Sequence, residues 1–184
     1  MNAMLEKVKK TRGYLNYIED HYYDVQSAWE ELKPKLKNIN YTELNLPDID
    51  KNYDEFISAI DSEIKHHDLS KLSAEEFIQY RERFFPINDH EEMDSVEEFG
   101  SAWENHKEVN QHHWQNWRNI YNENNKMVCI VENVVDWMAV GYNFGNSALE
   151  YYHHKKSEIK ISKSDRMRLE RVLRCTVEVV EGEE

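Results

Sequence analysis

Apolar residues recur at three- and four-residue steps along most of the chain, the spacing that lines one face of an α-helix. Tyr14, Ile18, His21, Val25, Ala28, Trp29, Leu32 and Leu36 form one such stripe and predict a first helix from near Met4 to about Leu36. His21 falls inside the stripe, not on its charged flank. Asn38 to Asn52, with Pro47 and few large apolar residues, reads as a loop. A second helix starts near Tyr53 and turns Ile57, Ile60 and Ile64 inward; continuing that stripe brings His67 and Asp68 to the same face at the helix end. Ser73 with Glu76 three residues on has the form of a capping box and predicts a third helix through Phe85, stopped by Pro86.

Ile87 to Asp94 is acidic and reads as an exposed loop, and Ser95 with Glu98 forms a second capping-box pattern that opens a helix through Trp103, His106 and Asn110. Neither Gly nor Pro interrupts Ser101 to Asn125, so this helix either reaches Trp117 or bends near Gln111. Asn122 to Asn125 makes a polar break. Lys126 to about Phe144 is apolar on most sides, which describes a central buried helix, and Gly145-Asn146 ends it. A short Tyr-rich helix follows from Ser147, and Ser164 opens a last one to about Val180, with the acidic residues 181–184 frayed. No segment alternates with period two for long enough to make a sheet. The expectation is an all-α chain of about seven helices in a single domain, residues 1–184 with a core at about 4–180.

Composition agrees with helix, since Gly is 5 and Pro is 3. The 23 basic and 36 acidic residues leave a formal charge of −13, which repels polyphosphate backbones and argues against a long nucleic-acid groove. Cys129 and Cys175 show no CxxC spacing, and the simplest expectation is a reducing cytosol with Cys129 as a small core residue. Met1 to Lys10 lacks the apolar stretch of a signal peptide, and Met127 to Val131 is too short to span a membrane. A cytoplasmic protein without membrane contact is expected.

The candidate chemistry begins with Asp136, a carboxylate in the middle of the most apolar helix, where burial demands a cation, a metal or strong donors. His21 on the first helix and His67 with Asp68 on the second pose the same question. Singly, each reads more readily as a core polar group with a hydrogen-bonded partner. Together, four imidazole and carboxylate groups project inward from three helices, which is how metal sites in helical proteins are made. Such a nitrogen and oxygen set suits Mn, Fe, Co, Ni or Zn, as one or two divalent ions. On an unbroken helix His106, Asn110 and His113 would share a second stripe, with His112 pointing elsewhere. Glu132 lies one turn before Asp136. His90 and His153-His154 sit among charged residues and read as solvated.

An inward His on helix one, His-Asp closing a later helix and an Asp on a central helix resemble the HD-domain phosphohydrolase superfamily. The string His67-Asp68-Leu69-Ser70-Lys71 is similar to that family's His-Asp-(aliphatic)-(small)-Lys pattern. HHDLSKLSAEEFIQYRERFFP, AWENHKEVNQHHWQNW and VENVVDWMAV resemble an HD-like family of bacteria and their phages, over roughly His21 to Tyr152. The resemblance implies an HD-like helical fold with His21, His67, Asp68 and Asp136 as ligands of one divalent metal. Lys71 would then contact substrate phosphate. It also implies that His106 with His113 or His112 holds a second metal; the residues leave equally open that these histidines line a substrate pocket. Asn110, His112 and Glu132 are expected near substrate, and Asp68, Lys71 and His113 in the chemistry.

The expected activity is hydrolysis of a small nucleotide phosphoester, with degradation of a cyclic nucleotide signal in phage counter-defence as its sharpest form. Two alternatives stand beside it: a helical module that sequesters a nucleotide without turnover, and a di-iron oxygenase. The intact His-Asp-x-x-Lys string favours phosphate chemistry over the oxygenase.

Overall fold

The computed structural model describes residues 3–177, all-helical with no strand among them. Eight α-helices are present among the described residues: α1 (Ala3–Leu32), α2 (Pro47–Lys51), α3 (Tyr53–His66), α4 (Phe77–Phe84), α5 (Asp89–Val109), α6 (Glu123–Phe144), α7 (Ala148–Lys155) and α8 (Lys163–Val177). The expected end of the last helix near Val180 and the frayed residues 181–184 lie outside the described residues. The helices fall into two compact units, each discontinuous in sequence. The first unit is residues 1–23 and 67–110, the second residues 24–66 and 111–184.

The second unit is built around α6, which packs on α3, α7 and α8. Met127, Ile130, Val131, Val134, Val135 and Ala139 are buried on it, so its sequence is apolar nearly all round because protein surrounds it. Val25, Ala28, Trp29 and Leu32 of α1 carry the expected stripe into the same core, as do Phe56, Ile60 and Ile64 of α3. The stripe does not continue as α-helix to Leu36. Pro34 lacks the N–H a further α-turn needs, and Lys33–Asn38 tightens into a 3₁₀ helix that still buries Leu36.

The segment expected as a plain loop is not one. Ile39, Tyr41, Leu44, Leu46 and Ile49 are all buried, and Pro47 sits in the first turn of α2, where a missing N–H costs nothing. Asp50 fastens the stretch by accepting from the Tyr41 and Thr42 backbone N–H groups and the Thr42 hydroxyl. α6 begins earlier than expected, at Glu123, because the Asn122 side chain accepts from Asn125 N–H and caps it. Ser147 with Glu150 completes a capping box at α7.

Gly145 closes α6 with a left-handed φ of 70°. Gly141 is needed for a different reason: a Cβ there would lie 2.2 Å from the Asn146 carbonyl oxygen, which is backbone and cannot step aside. Gly141→Ala is expected to destabilise the α6–α7 corner by about 1–3 kcal/mol, the usual range for overpacking, read as a lower denaturant midpoint. Cys129 and Cys175 are both buried in this unit, and burial pushes the Cys129 thiol up to about 12, consistent with a small core residue.

The first unit has a smaller core, Tyr14, Tyr80 and Ala102 with Ile18, Phe77, Phe85, Phe99 and Trp103 around them. α4 and α5 pack on each other, and a 3₁₀ turn at Leu69–Leu72 packs on both. Two capping expectations fail in this unit. α4 starts at Phe77, not after Ser73, and Glu76 is turned wholly inward with no exposed surface. The acidic loop is instead the first turn of α5, capped by Asn88, whose side chain accepts from Glu91 N–H; three early acids suit a helix N-terminus. Ser95 is therefore inside α5, buried, with its hydroxyl on the Glu92 carbonyl.

Candidate metal centre

α3 ends at His66, and the chain turns sharply at Asp68, whose φ of 54° is left-handed. Such a backbone is uncommon outside glycine but tolerated by Asp, and it persists where the surroundings fix it. The turn sends the Asp68 side chain into the first unit and starts the 3₁₀ turn that carries Lys71 one step below it. Both residues are buried.

Four groups converge on this one carboxylate. Lys71 Nζ is 2.6 Å from Oδ2, and His21 Nε2 and His67 Nε2 are each 3.6 Å from the same oxygen. His106 Nε2 faces the other oxygen, Oδ1, at 3.2 Å. Burial alone would raise the Asp68 carboxyl, but the charges of Lys71 and His67 and the His106 hydrogen bond outweigh it and hold it well below the usual carboxylate range. Lys71 also lies over the ring of Tyr17, 5.7 Å from its centroid, and Tyr17 stacks nearly parallel on His21. Lys71 is thus a buried ammonium group held between a carboxylate and an aromatic ring.

Helix α5 presents His106 from the opposite side. It ends at Val109, so His106, Asn110 and His113 do not share a continuous helical stripe; Asn110 is the C-cap. Asn110 Nδ2 lies 2.8 Å from both Ser70 Oγ and the His106 carbonyl oxygen. His106 Nδ1 is 2.8 Å from Glu76 Oε2. The sequence reading missed Glu76 because the Ser-x-x-Glu spacing offered it a role at a helix end. The signal available was its place four residues before Tyr80, on the face that α4 buries.

His112, His113, Glu132 and Asp136 belong to the second unit. His112 is buried with Nδ1 3.2 Å from Glu132 Oε1, its ring tilted against that of half-buried His113. Trp117 fixes the turn by donating its indole N–H to the His112 carbonyl oxygen. Glu132 is buried on α6, and Asp136, one turn later, is half-buried. Burial and the neighbouring Glu132 charge raise the Glu63 carboxyl, which marks this as an acid-rich spot. His90, His153 and His154 are exposed, as their charged neighbourhoods predict.

Buried and half-buried His, Asp and Glu side chains of this chain could hold a metal ion. The residues concerned are His21, His67 and Asp68 in the first unit, and His112, His113, Glu132 and Asp136 in the second. The donor spacing in the first unit fits the purpose. Two ligands about 2.1 Å from a common ion stand about 3.0 Å apart at a right angle and about 3.4 Å apart at a tetrahedral one. The 3.6 Å from each imidazole to Asp68 Oδ2 is long for a hydrogen bond and close to that ligand separation.

A protein-family model covers residues 10–175, nearly the whole chain. The chain belongs to the DUF5662 family. That family is described as one of unknown function, and its span takes in both units and every candidate residue. No curated protein and no solved structure matches the chain. Among the described residues, no helix of this DUF5662 member is long and apolar enough to cross a membrane.

Proposed function

We propose that this chain is a metal-dependent phosphohydrolase of the HD type, acting on a phosphoester of a small nucleotide. The observation that carries the reading is the Asp68 carboxylate, buried with His21 and His67 at ligand-like separations and an ammonium group 2.6 Å away. A structural ion pair needs one cation, not a cation and three imidazoles around one carboxylate. His21, His67 and Asp68 would hold the ion, and nitrogen and oxygen donors without thiolate suit Mn, Co, Ni, Fe or Zn. When bound, a divalent ion acidifies a coordinated water and draws charge from a phosphoryl oxygen. Asp68 would share the ion with both imidazoles through Oδ2. Lys71 supplies a buried positive charge, preorganised by Asp68 and Tyr17, that stabilises negative charge building on a phosphoryl group.

The formal charge of −13 bears on substrate size. A small phosphoester can use a local positive site without crossing much acidic surface, whereas a long strand cannot. The test is a panel of mono-, di-, tri- and cyclic nucleotides with Mn, Co, Ni, Fe and Zn ions in turn, read by chromatography, beside long single-stranded RNA and DNA. At least one small nucleotide should be hydrolysed, and chelator should stop it. A nucleotide recovered intact from tight complex with every metal would make the protein a sequestering module instead. Rapid degradation of the long strands with the small substrates untouched would also overturn the reading.

A further inference from the structure

We infer that Tyr17 is the base-binding residue of this centre: its exposed ring stacks on the planar base of a nucleoside phosphate whose phosphate lies toward Lys71. The inference rests on the nucleotide reading above and adds to it the side chain that holds the base.

Tyr14, Tyr17 and His21 follow one another at three- and four-residue steps on α1, so their side chains share one face of the helix. The Tyr17 ring lies 18° from the plane of Tyr14 and 7° from that of His21, with centroids 6.4 and 6.3 Å away. Rings so nearly parallel at such separations are offset: they set the plane of Tyr17 without covering its face. Phe85 tilts against the same ring at 6.1 Å. The Tyr14 hydroxyl donates to the Lys71 carbonyl oxygen at 3.3 Å, which ties the turn carrying Lys71 to this helix. Tyr14 has no exposed surface and His21 is buried, whereas Tyr17 keeps 42 % of its surface exposed. Of the three rings, Tyr17 is the one that reaches solvent. Lys71 Nζ lies 5.7 Å from its centroid, and the candidate metal ligand His21 is one helical turn on.

Exposure of an aromatic ring needs no explanation by itself. Tyr23, on the same helix, is 60 % exposed, and its ring packs edge-on against Tyr22. What sets Tyr17 apart is a fixed orientation together with contact to a buried ammonium group and to an imidazole of the centre. A ring held in this way loses little freedom when a ligand stacks on it. Every base has a π-face, so such a shelf accepts all of them, and purines gain more than pyrimidines through their larger contact area. A sugar phosphate without a base gains nothing from it. The substrate class narrows to nucleoside phosphates with a weak base preference, purine ahead of pyrimidine.

The test is calorimetric titration of the full chain in chelator, with AMP, GMP, CMP, UMP and ribose 5-phosphate as probes. Wild type should bind AMP and GMP more tightly than CMP and UMP, and all four more tightly than ribose 5-phosphate. Tyr17→Ala should weaken AMP about 5–100-fold, the range for losing one base–aromatic stack, and ribose 5-phosphate far less. Tyr17→Phe keeps the ring and should restore AMP binding, and Tyr23→Ala should bind AMP as wild type does. AMP held no more tightly than ribose 5-phosphate overturns the inference. So does an equal loss of both probes in Tyr17→Ala, which would make Tyr17 a packing residue only. Tyr17-dependent AMP binding with no nucleotide hydrolysed in any metal would sink the phosphohydrolase reading and leave the base site in place. Chelator-sensitive hydrolysis of a nucleotide at an unchanged KM in Tyr17→Ala would do the reverse.

Discussion

Asp68→Ala is expected to abolish both metal binding and turnover, the largest single effect in this chain. Every donor of the first-unit centre is oriented on this carboxylate: Lys71 and two imidazoles on Oδ2, and His106 on Oδ1. Loss of an outer-sphere partner costs about 10–100-fold in metal affinity, and loss of the shared carboxylate should exceed that. Elemental analysis after dialysis, with a Mn²⁺ titration, measures it. Asp68→Asn separates shape from charge, since it keeps the turn at φ 54° that Asn also tolerates. It should reach the same fold at lower stability, since the buried Lys71 ammonium loses its carboxylate, and still fail to retain metal. Equal metal content in wild type and both variants would show that the centre is a hydrogen-bonded core and nothing more.

Lys71→Met should cost about 3 kcal/mol of stability in chelator, because it leaves a buried carboxylate without its ammonium. Added divalent metal should restore much of that stability, as one cation replaces another, while turnover stays low. The pH dependence has a definite sign. Asp68 is held below its ordinary range in the folded chain, so its contribution to stability is present at every pH above that range. It disappears as pH falls through the folded value and the carboxyl takes up a proton. The stability difference between wild type and Lys71→Met in chelator should therefore be widest near neutral pH and shrink on acidification. Urea midpoints at neutral and acid pH, with and without metal, give the comparison. A difference that grows in acid, or a variant that turns over substrate at the wild-type rate, would remove Lys71 from the role proposed for it.

The helical class, the long central helix and the inward placement of His21, His67 and Asp68 were legible in the sequence, because apolar periodicity reports which face of a helix is covered. α6 reads as buried because apolar residues lie on most of its sides, and α1 reads correctly as far as Leu32. Periodicity says nothing, however, about segments that bury apolar residues without a repeat. Tyr41, Leu44, Leu46 and Ile49 were read as loop, since irregular backbone shows no period even when its side chains fill a core.

The polar residues divide along the same line. Ser73-x-x-Glu76 and Ser95-x-x-Glu98 each satisfy a local capping pattern, and neither caps a helix, because a local pattern competes with tertiary partners. His106, Ser70 and Asn105 hold Glu76, and Asn88 starts α5 before Ser95 is reached. The end of α5 at Val109 was likewise undetermined, with neither Gly nor Pro to mark it, so the sequence could not separate His106 from His112 and His113. What the sequence determined by itself was the inward placement of His21, His67 and Asp68 and the His-Asp-x-x-Lys spacing that puts Lys71 within reach of Asp68. Only the tertiary structure decided that three imidazoles meet one carboxylate and that Glu76 stands behind one of them. Those contacts join positions from 21 to 106, and a one-dimensional pattern carries no term for a distance between residues so far apart.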